Sequence, residues 1–166
     1  MIEINGVHIV SRTVSLLKPL FSEIILAGWP PDDPEPEGTI TVADNFPGMG
    51  PLAGIEAAMK ASSAPWLFVF GGDMPWLSDV LISDQATASL KSPADVLIPR
   101  IGNAIEPLHA IYRCSLQSYL ESYLREGKDM AVRAFFKPLK IRYYDLPDDE
   151  KTLRIFTNIN TPQDLP

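Results

Sequence analysis

The chain is poor in the residues that several kinds of protein chemistry require. Cys114 is its only cysteine, so no intramolecular disulfide can form, and a reducing, cytoplasmic setting is the expectation. Two histidines and one cysteine cannot build a structural zinc site of the usual nitrogen-and-sulfur kind. No apolar run approaches ~18 residues, so no transmembrane helix is expected. The first residues, Met1-Ile2-Glu3-Ile4-Asn5-Gly6, lack the basic and apolar regions of a secretion signal. Positive charge is scarce: 14 Lys and Arg face 21 Asp and Glu, a net charge of −7. The basic residues form no run with interleaved aromatics, so neither nucleic acid nor a membrane is an expected partner. No grouping of Ser, His and Asp points to nucleophilic catalysis. His109 follows an extended apolar run and reads as a satisfied core or rim histidine rather than a base. Cys114, with Arg113 as its one basic neighbour, reads as a passive thiol.

What is present is enough apolar material for one globular domain over residues 1–166. Hydrophobic residues make up 46% and charged residues 21%, and a chain of this length buries a substantial core. Residues 7–17 carry Ile9, Val10, Val14 and Leu17 at helical spacing, with Pro19 just past the end. Residues 22–28 read as a buried strand with a glycine exit. A helix followed by a strand is half of a βαβ unit, and the strand that should precede it is missing. Residues 29–38 hold four prolines in ten positions, which forbids a helix or a central strand. That stretch is either a flap over a site or a solvated loop.

A short strand over 39–43 leads to a loop over 44–51, then to a helix over 52–61 with Leu52, Ile55 and Met59 on one face. Pro51 suits the first helical turn. Such a loop offers free N–H donors to an anion or a base edge. Gly54 costs about 1 kcal/mol against Ala in a helix; close packing by another backbone or close approach by a ligand would each explain it.

Residues 66–70 then form an apolar strand, read as buried and parallel. Gly71-Gly72-Asp73-Met74-Pro75 follows at its carboxyl end. A carboxylate there, between two glycines and a proline, can hold a hard cation against a phosphate; equally, the segment can be a plain turn that caps the next helix. A helix beginning near Ser78 and Asp79 and ending at Leu90, a strand over 94–99 and an extended stretch over 106–112 come next. The short link at 101–103 makes the last two antiparallel neighbours. A helix ending at Gly127, a short helix over 130–136, a strand over 139–144 and a charged turn over 147–151 complete the body. Thr161-Pro162 with Asp164 reads as a helix start. The fold expected is α/β: a three-layer sandwich on a mostly parallel, Rossmann-like sheet with one antiparallel strand and its first strand missing. Loops 44–54, 71–75 and 156–164 converge at one sheet edge.

Four motifs recur together here in order and spacing. They are Asp44-x-x-Pro47-Gly48-x-Gly50-Pro51-Leu52-Ala53-Gly54, Gly72-Asp73-Met74-Pro75-x-Leu77, Glu106-Pro107-Leu108-x-Ala110-x-Tyr112-Arg113, and Asn158-Ile159-Asn160-Thr161-Pro162-x-Asp164-Leu165. Over essentially the whole chain this resembles the MobA-like nucleotidyltransferases, best the molybdenum cofactor guanylyltransferases. The resemblance implies transfer of GMP from GTP to molybdopterin with release of pyrophosphate. It implies Asp73 as the catalytic, metal-binding residue for Mg2+. It implies nucleotide contacts from Asp44, Gly50, Leu52 and Gly54, and pterin contacts from Asn158 and Asn160.

The family also begins with a strand and a Leu-Ala-Gly-Gly-x-Ser-x-Arg-Met-Gly loop, followed by a lysine, that hold the triphosphate. Here Ile2-Glu3-Ile4-Asn5-Gly6 matches the segment after that lysine, so the domain is expected to be truncated at its N-terminus. After Gly127 the family tends to carry basic residues; Lys128 is the one kept, with Arg133 further on. Such a chain is either a guanylyltransferase or a degenerate homologue that binds pterin, nucleotide or a partner chain at an open sheet edge. The related cytidylyltransferases carry Gln where Met74 stands and Asp near Asn160, which favours the guanylyl reading.

Overall fold

A computed structural model describes residues 3–4, 7–127, 131–159 and 164. The strands are β1 Glu3–Ile4, β2 Val7–His8, β3 Ile25–Ala27, β4 Ile40–Val42, β5 Trp66–Phe70, β6 Val96–Ile101, β7 Ala104–Ile105, β8 His109–Arg113 and β9 Ile141–Leu146. The helices are α1 Ile9–Leu17, α2 Pro51–Ala61, α3 Asp79–Leu90, α4 Gln117–Arg125, α5 Val132–Phe135 and α6 Glu150–Ile155. Val7 and His8 pair with β1 rather than opening α1.

The main sheet has β8 between β5 and β6, antiparallel to both. β5 and β6 therefore run the same way, and β9 runs parallel to β6 along its full length, from Val96↔Ile141 to Ile101↔Leu146. This is the mixed sheet expected, with β8 as the antiparallel member and β7 as a short hairpin partner of β6. The expectation that β5 lies among parallel neighbours is corrected: among the described residues its one partner is β8.

β3 and β4 form a separate parallel pair. No described strand joins them to β5. Between β3 and β5 lies a cavity of about 370 Å³, lined by residues of both strands with α1 (Val10, Val14, Leu17) and α2 (Gly54, Ile55, Ala58). Alternate side chains of β5 serve opposite faces. Leu67 and Val69 pack on the cluster built from α2 and α4; Phe68 and Phe70 pack on the cluster holding Val14, Leu17, Met74 and Ile82. The slot is thus apolar on both faces, as a central strand position would be. α2 holds the β3–β4 pair in place across it. A Cβ at Gly54 would lie 3.2 Å from the Ala27 Cβ, so close packing accounts for this glycine. At the other end of α2, Glu23 accepts from Ser62 Oγ at 2.8 Å and Ser63 Oγ at 2.5 Å.

Local signals account for most helix ends. Ser78 Oγ accepts from Leu81 N–H, as expected of an N-cap. Gly127 follows α4 with φ +62°. α6 corrects the charged turn read over 147–151: Asp149 accepts from Thr152 N–H and starts a helix there. The helix start read at Thr161 and Pro162 lies outside the described residues. No helix among them is long and apolar enough to cross a membrane.

Candidate functional site

Asp73 sits where the strand pattern ends. β5 stops at Phe70, and Gly71 N–H donates to Leu108 O at 2.9 Å, which ties the turn to the start of β8. Met74 N–H then closes the turn on Gly71 O at 3.2 Å, with the Met74 side chain buried in the core. The half-buried Asp73 side chain folds back over Gly71, where a Cβ would lie 2.5 Å from Asp73 Oδ1. Only glycine leaves that carboxylate its position. The third loop comes in by the main chain: Ile159 N–H donates to Asp73 O at 2.8 Å. Ile159 is buried and anchors that strand of chain, while Asn158 beside it is exposed. Asn160 lies outside the described residues.

Asp44 follows β4. Its Oδ1 is buried and has no hydrogen-bond partner among the described residues. The carboxylate lies near Gly28 and Gly54, whose Cβ positions would each be 3.8 Å from one of its oxygens. An orphaned, half-enclosed carboxylate oxygen is an unfilled acceptor for a ligand donor. Gly50, with φ +66°, bends the loop into α2 in a conformation that side chains resist, and Pro51 takes the first helical position. The first turn of α2 carries no acidic residue, so its N–H ends favour an anion. Leu52 is fully buried in the core; what it offers a ligand is main chain. Pro51, Gly54, Gly71 and Gly72 border the same slot, which brings the loop before α2 and the Asp73 turn together.

No group of three or more His, Cys, Asp or Glu that could hold a metal exists among the described residues. A hard divalent cation would have Asp73 as its protein carboxylate and take its other ligands from phosphate oxygens and water, the usual arrangement for Mg2+ at phosphate sites. Asp73 suits that: its side chain makes no hydrogen bond to the protein in the described residues, and Gly72 beside it has open space.

A family model described as the MobA-like NTP transferase domain matches residues 1–142. The chain belongs to this family. Among its curated relatives is a protein of Pelotomaculum thermopropionicum named probable molybdenum cofactor guanylyltransferase, 29% identical, with 99% of this chain and 80% of that one covered. A protein of the same name from Peptoclostridium acidaminophilum is 30% identical, with 99% and 77% covered. Among solved structures, the molybdopterin-guanine dinucleotide biosynthesis protein A of Archaeoglobus fulgidus superposes with a TM-score of 0.79 at 24% identity, over 98% of this chain and 84% of that one. That likeness establishes the shared fold.

Against this MobA-like frame, Asp73 and the Asn158 loop are in main-chain contact, and Asp44, Gly50 and Gly54 share one loop and helix start. His109 is fully buried, as a core histidine should be, but it is not satisfied: both ring nitrogens lack partners among the described residues. It sits edge-on to Phe68 and Phe156 at centroid distances of 4.9 and 4.8 Å. Burial pushes its pKa down to about 4, which keeps it neutral. Burial, and next the Glu23 carboxylate, push the Cys114 thiol up, as a passive thiol requires. No motif in the sequence marks Glu56. It is fully buried and bonded to Asn45 beside Asp44. Its sequence signal was an acid set four residues after Leu52, beside the apolar stripe of α2.

Proposed function

We propose that this protein is a guanylyltransferase of molybdenum cofactor maturation, taking GTP and molybdopterin as substrates and releasing pyrophosphate. The hydrogen bond from Ile159 N–H to Asp73 O carries the reading. It holds the loop assigned to the pterin against the acidic turn assigned to the phosphates, as joining two phosphates demands. An oxygen of the molybdopterin phosphate bonds to the α-phosphorus of GTP while the bond from that phosphorus to the departing pyrophosphate breaks. Mg2+, when bound, supplies the positive charge that lets two anionic groups meet. Asp73 is the residue that would hold it. Gly71 and Gly72 leave room for phosphate oxygens close to the main chain. Asp44, with its unfilled oxygen, accepts from N–H groups of the guanine base, and the Gly50–Gly54 helix start lies along the nucleoside. Asn158 and Asn160 bind the pterin end.

The slot between β3 and β5 belongs to the same reading. An extended, apolar strand fits it, because the slot has a strand on each side and an apolar surface on each face. The reaction is assigned to the cytoplasm, where these substrates and a free Cys114 thiol are compatible.

Calorimetric titration of the chain with GTP and Mg2+, with CTP in parallel, tests the assignment. Selective binding of GTP is expected. Equal binding of CTP would move the protein to the cytidylyl class, and binding of neither would remove Asp44 and the α2 start from the nucleotide.

A further inference from the structure

Glu56 is a fully buried carboxylate in α2 with no Lys or Arg paired to it among the described residues. Burying a carboxylate against uncharged donors costs stability, and a leucine would extend the apolar stripe of Leu52, Ile55 and Met59 without that cost. Its two oxygens are both engaged. Oε2 accepts from Asn45 Nδ2 at 2.8 Å, and Oε1 accepts from Gln117 Nε2 at 2.8 Å. The path continues along one face of α4. Gln117 Nε2 also donates to Glu121 Oε2 at 3.2 Å, and Glu121 Oε1 accepts from a terminal guanidinium nitrogen of Arg125 at 2.6 Å. The Arg125 guanidinium lies over the Phe46 ring, 5.6 Å from its centroid. A path that leaves the loop at Asn45 thus returns to it at Phe46. Both residues follow Asp44 directly, in a loop with no sheet partner and one internal backbone bond, from Met49 N–H to Phe46 O at 3.2 Å.

We infer that Glu56 is a positioning residue for the nucleotide loop, acting with Gln117, Glu121 and Arg125 of α4 to hold Asn45 and Phe46 so that Asp44 keeps its aim at the base. The inference rests on the nucleotide assignment for this loop, but the clamp itself is a property of the free protein.

Hydrogen exchange of residues 44–50 without nucleotide reads the clamp alone. Glu56→Leu should remain folded and speed exchange of those amides about tenfold, the worth of one hydrogen bond to a charged group. Glu56→Gln, whose oxygen accepts from Gln117 and whose N–H donates to Asn45 once that amide turns its oxygen inward, should restore most of the protection. Arg125→Ala alters only the exposed end and should loosen the same amides several-fold, so it carries the test if Glu56→Leu does not fold. With GTP and Mg2+, Glu56→Leu should bind about tenfold more weakly, and Glu56→Gln close to the unmodified protein. Unchanged loop exchange in both Glu56→Leu and Arg125→Ala would overturn the clamp. So would an altered stability of Glu56→Leu with loop exchange and GTP affinity unmoved. If the unmodified chain binds no GTP while the exchange results hold, the nucleotide assignment fails and the clamp stands.

Discussion

At Asp73 the proposed chemistry depends on one side-chain posture. Asp73→Ala should abolish turnover of GTP with molybdopterin and leave the urea midpoint unchanged, because no hydrogen bond of the protein depends on that carboxylate in the described residues. Gly71→Ala should act through the same group. Its Cβ would sit 2.5 Å from Asp73 Oδ1, so the carboxylate must swing away while the fold is kept. Turnover should fall about a hundredfold, the usual result of a misplacement near 1 Å, with little change in thermal midpoint. Retained turnover in Gly71→Ala would show that the observed posture is not the working one.

His109 sets a pH dependence. Its ordinary value is 6.5, and in the folded protein it is pushed down to about 4 by burial. Below pH 6.5 the unfolded chain takes up a proton that the folded chain refuses until about pH 4. The unfolded state then binds more protons, so stability falls as pH drops through that window. The loss should be about 2 kcal/mol at pH 5 and about 3 kcal/mol near pH 4. Exposed carboxylates such as Asp145 and Asp149, lowered by hydrogen bonds from Arg100 and Thr152 respectively, lose stability in the same direction at lower pH. His109→Phe isolates the histidine: urea midpoints of the two proteins should diverge between pH 7.5 and 4. Parallel curves would mean that His109 ionises in place. The sequence placed His109 in the core or at its rim as a satisfied histidine, and could not show that its ring nitrogens go unmet, since Phe68 and Phe156 come from distant segments.

Among the elements, α2 carries the most. It begins at the positive-φ Gly50, packs Gly54 on Ala27, and ends against Glu23 through Ser62 and Ser63. Gly54→Val adds volume where a Cβ already meets Ala27 at 3.2 Å. It should cost about 2 kcal/mol by overpacking, measured as a lower urea midpoint with an unchanged slope. A neutral or stabilising result would return Gly54 to the ligand side of the question. The extent of α2 was legible because Pro51, the alanines and the Leu52–Ile55–Met59 stripe agree. α6 was not legible. It is six residues long, charged, with Leu153 half-exposed, so it carries no apolar period, and its one local signal is the Asp149 cap. The strand β5 was legible as a strand, but its partner was not. An apolar run records burial on both faces, and nothing in it records which neighbour supplies the hydrogen bonds.

Among the described residues an apolar slot holds the β3–β4 pair apart from the main sheet, and β1–β2 forms a third, two-residue pair. Main-chain groups of β5 that do not face β8, and those of β3 that do not face β4, border that slot. Their amides should exchange rapidly, while amides of β6, paired on both sides, are protected. Addition of a five-residue, extended, Val- and Ile-rich peptide with blocked ends should protect the β3 and β5 amides together. Protection of neither would remove the strand from the slot, and a concentration-dependent dimer with the same protection would assign it to a second copy of this chain.

The sequence by itself determined most of the elements, their order and the four motifs that place the chain among the MobA-like NTP transferases, because capping, periodicity and turn chemistry act within about a dozen residues. It also marked Asp44 and Asp73 just past strand ends, whereas Asn158, expected at one too, follows α6. The tertiary structure decided the rest. It alone placed Ile159 on Asp73, left an oxygen of Asp44 unmet, and buried Glu56 between Asn45 and Gln117. It also left a slot between β3 and β5 that no described strand fills. Those outcomes depend on which distant segments share a face, and that is fixed only when hydrophobic burial and backbone pairing are satisfied for the whole chain at once.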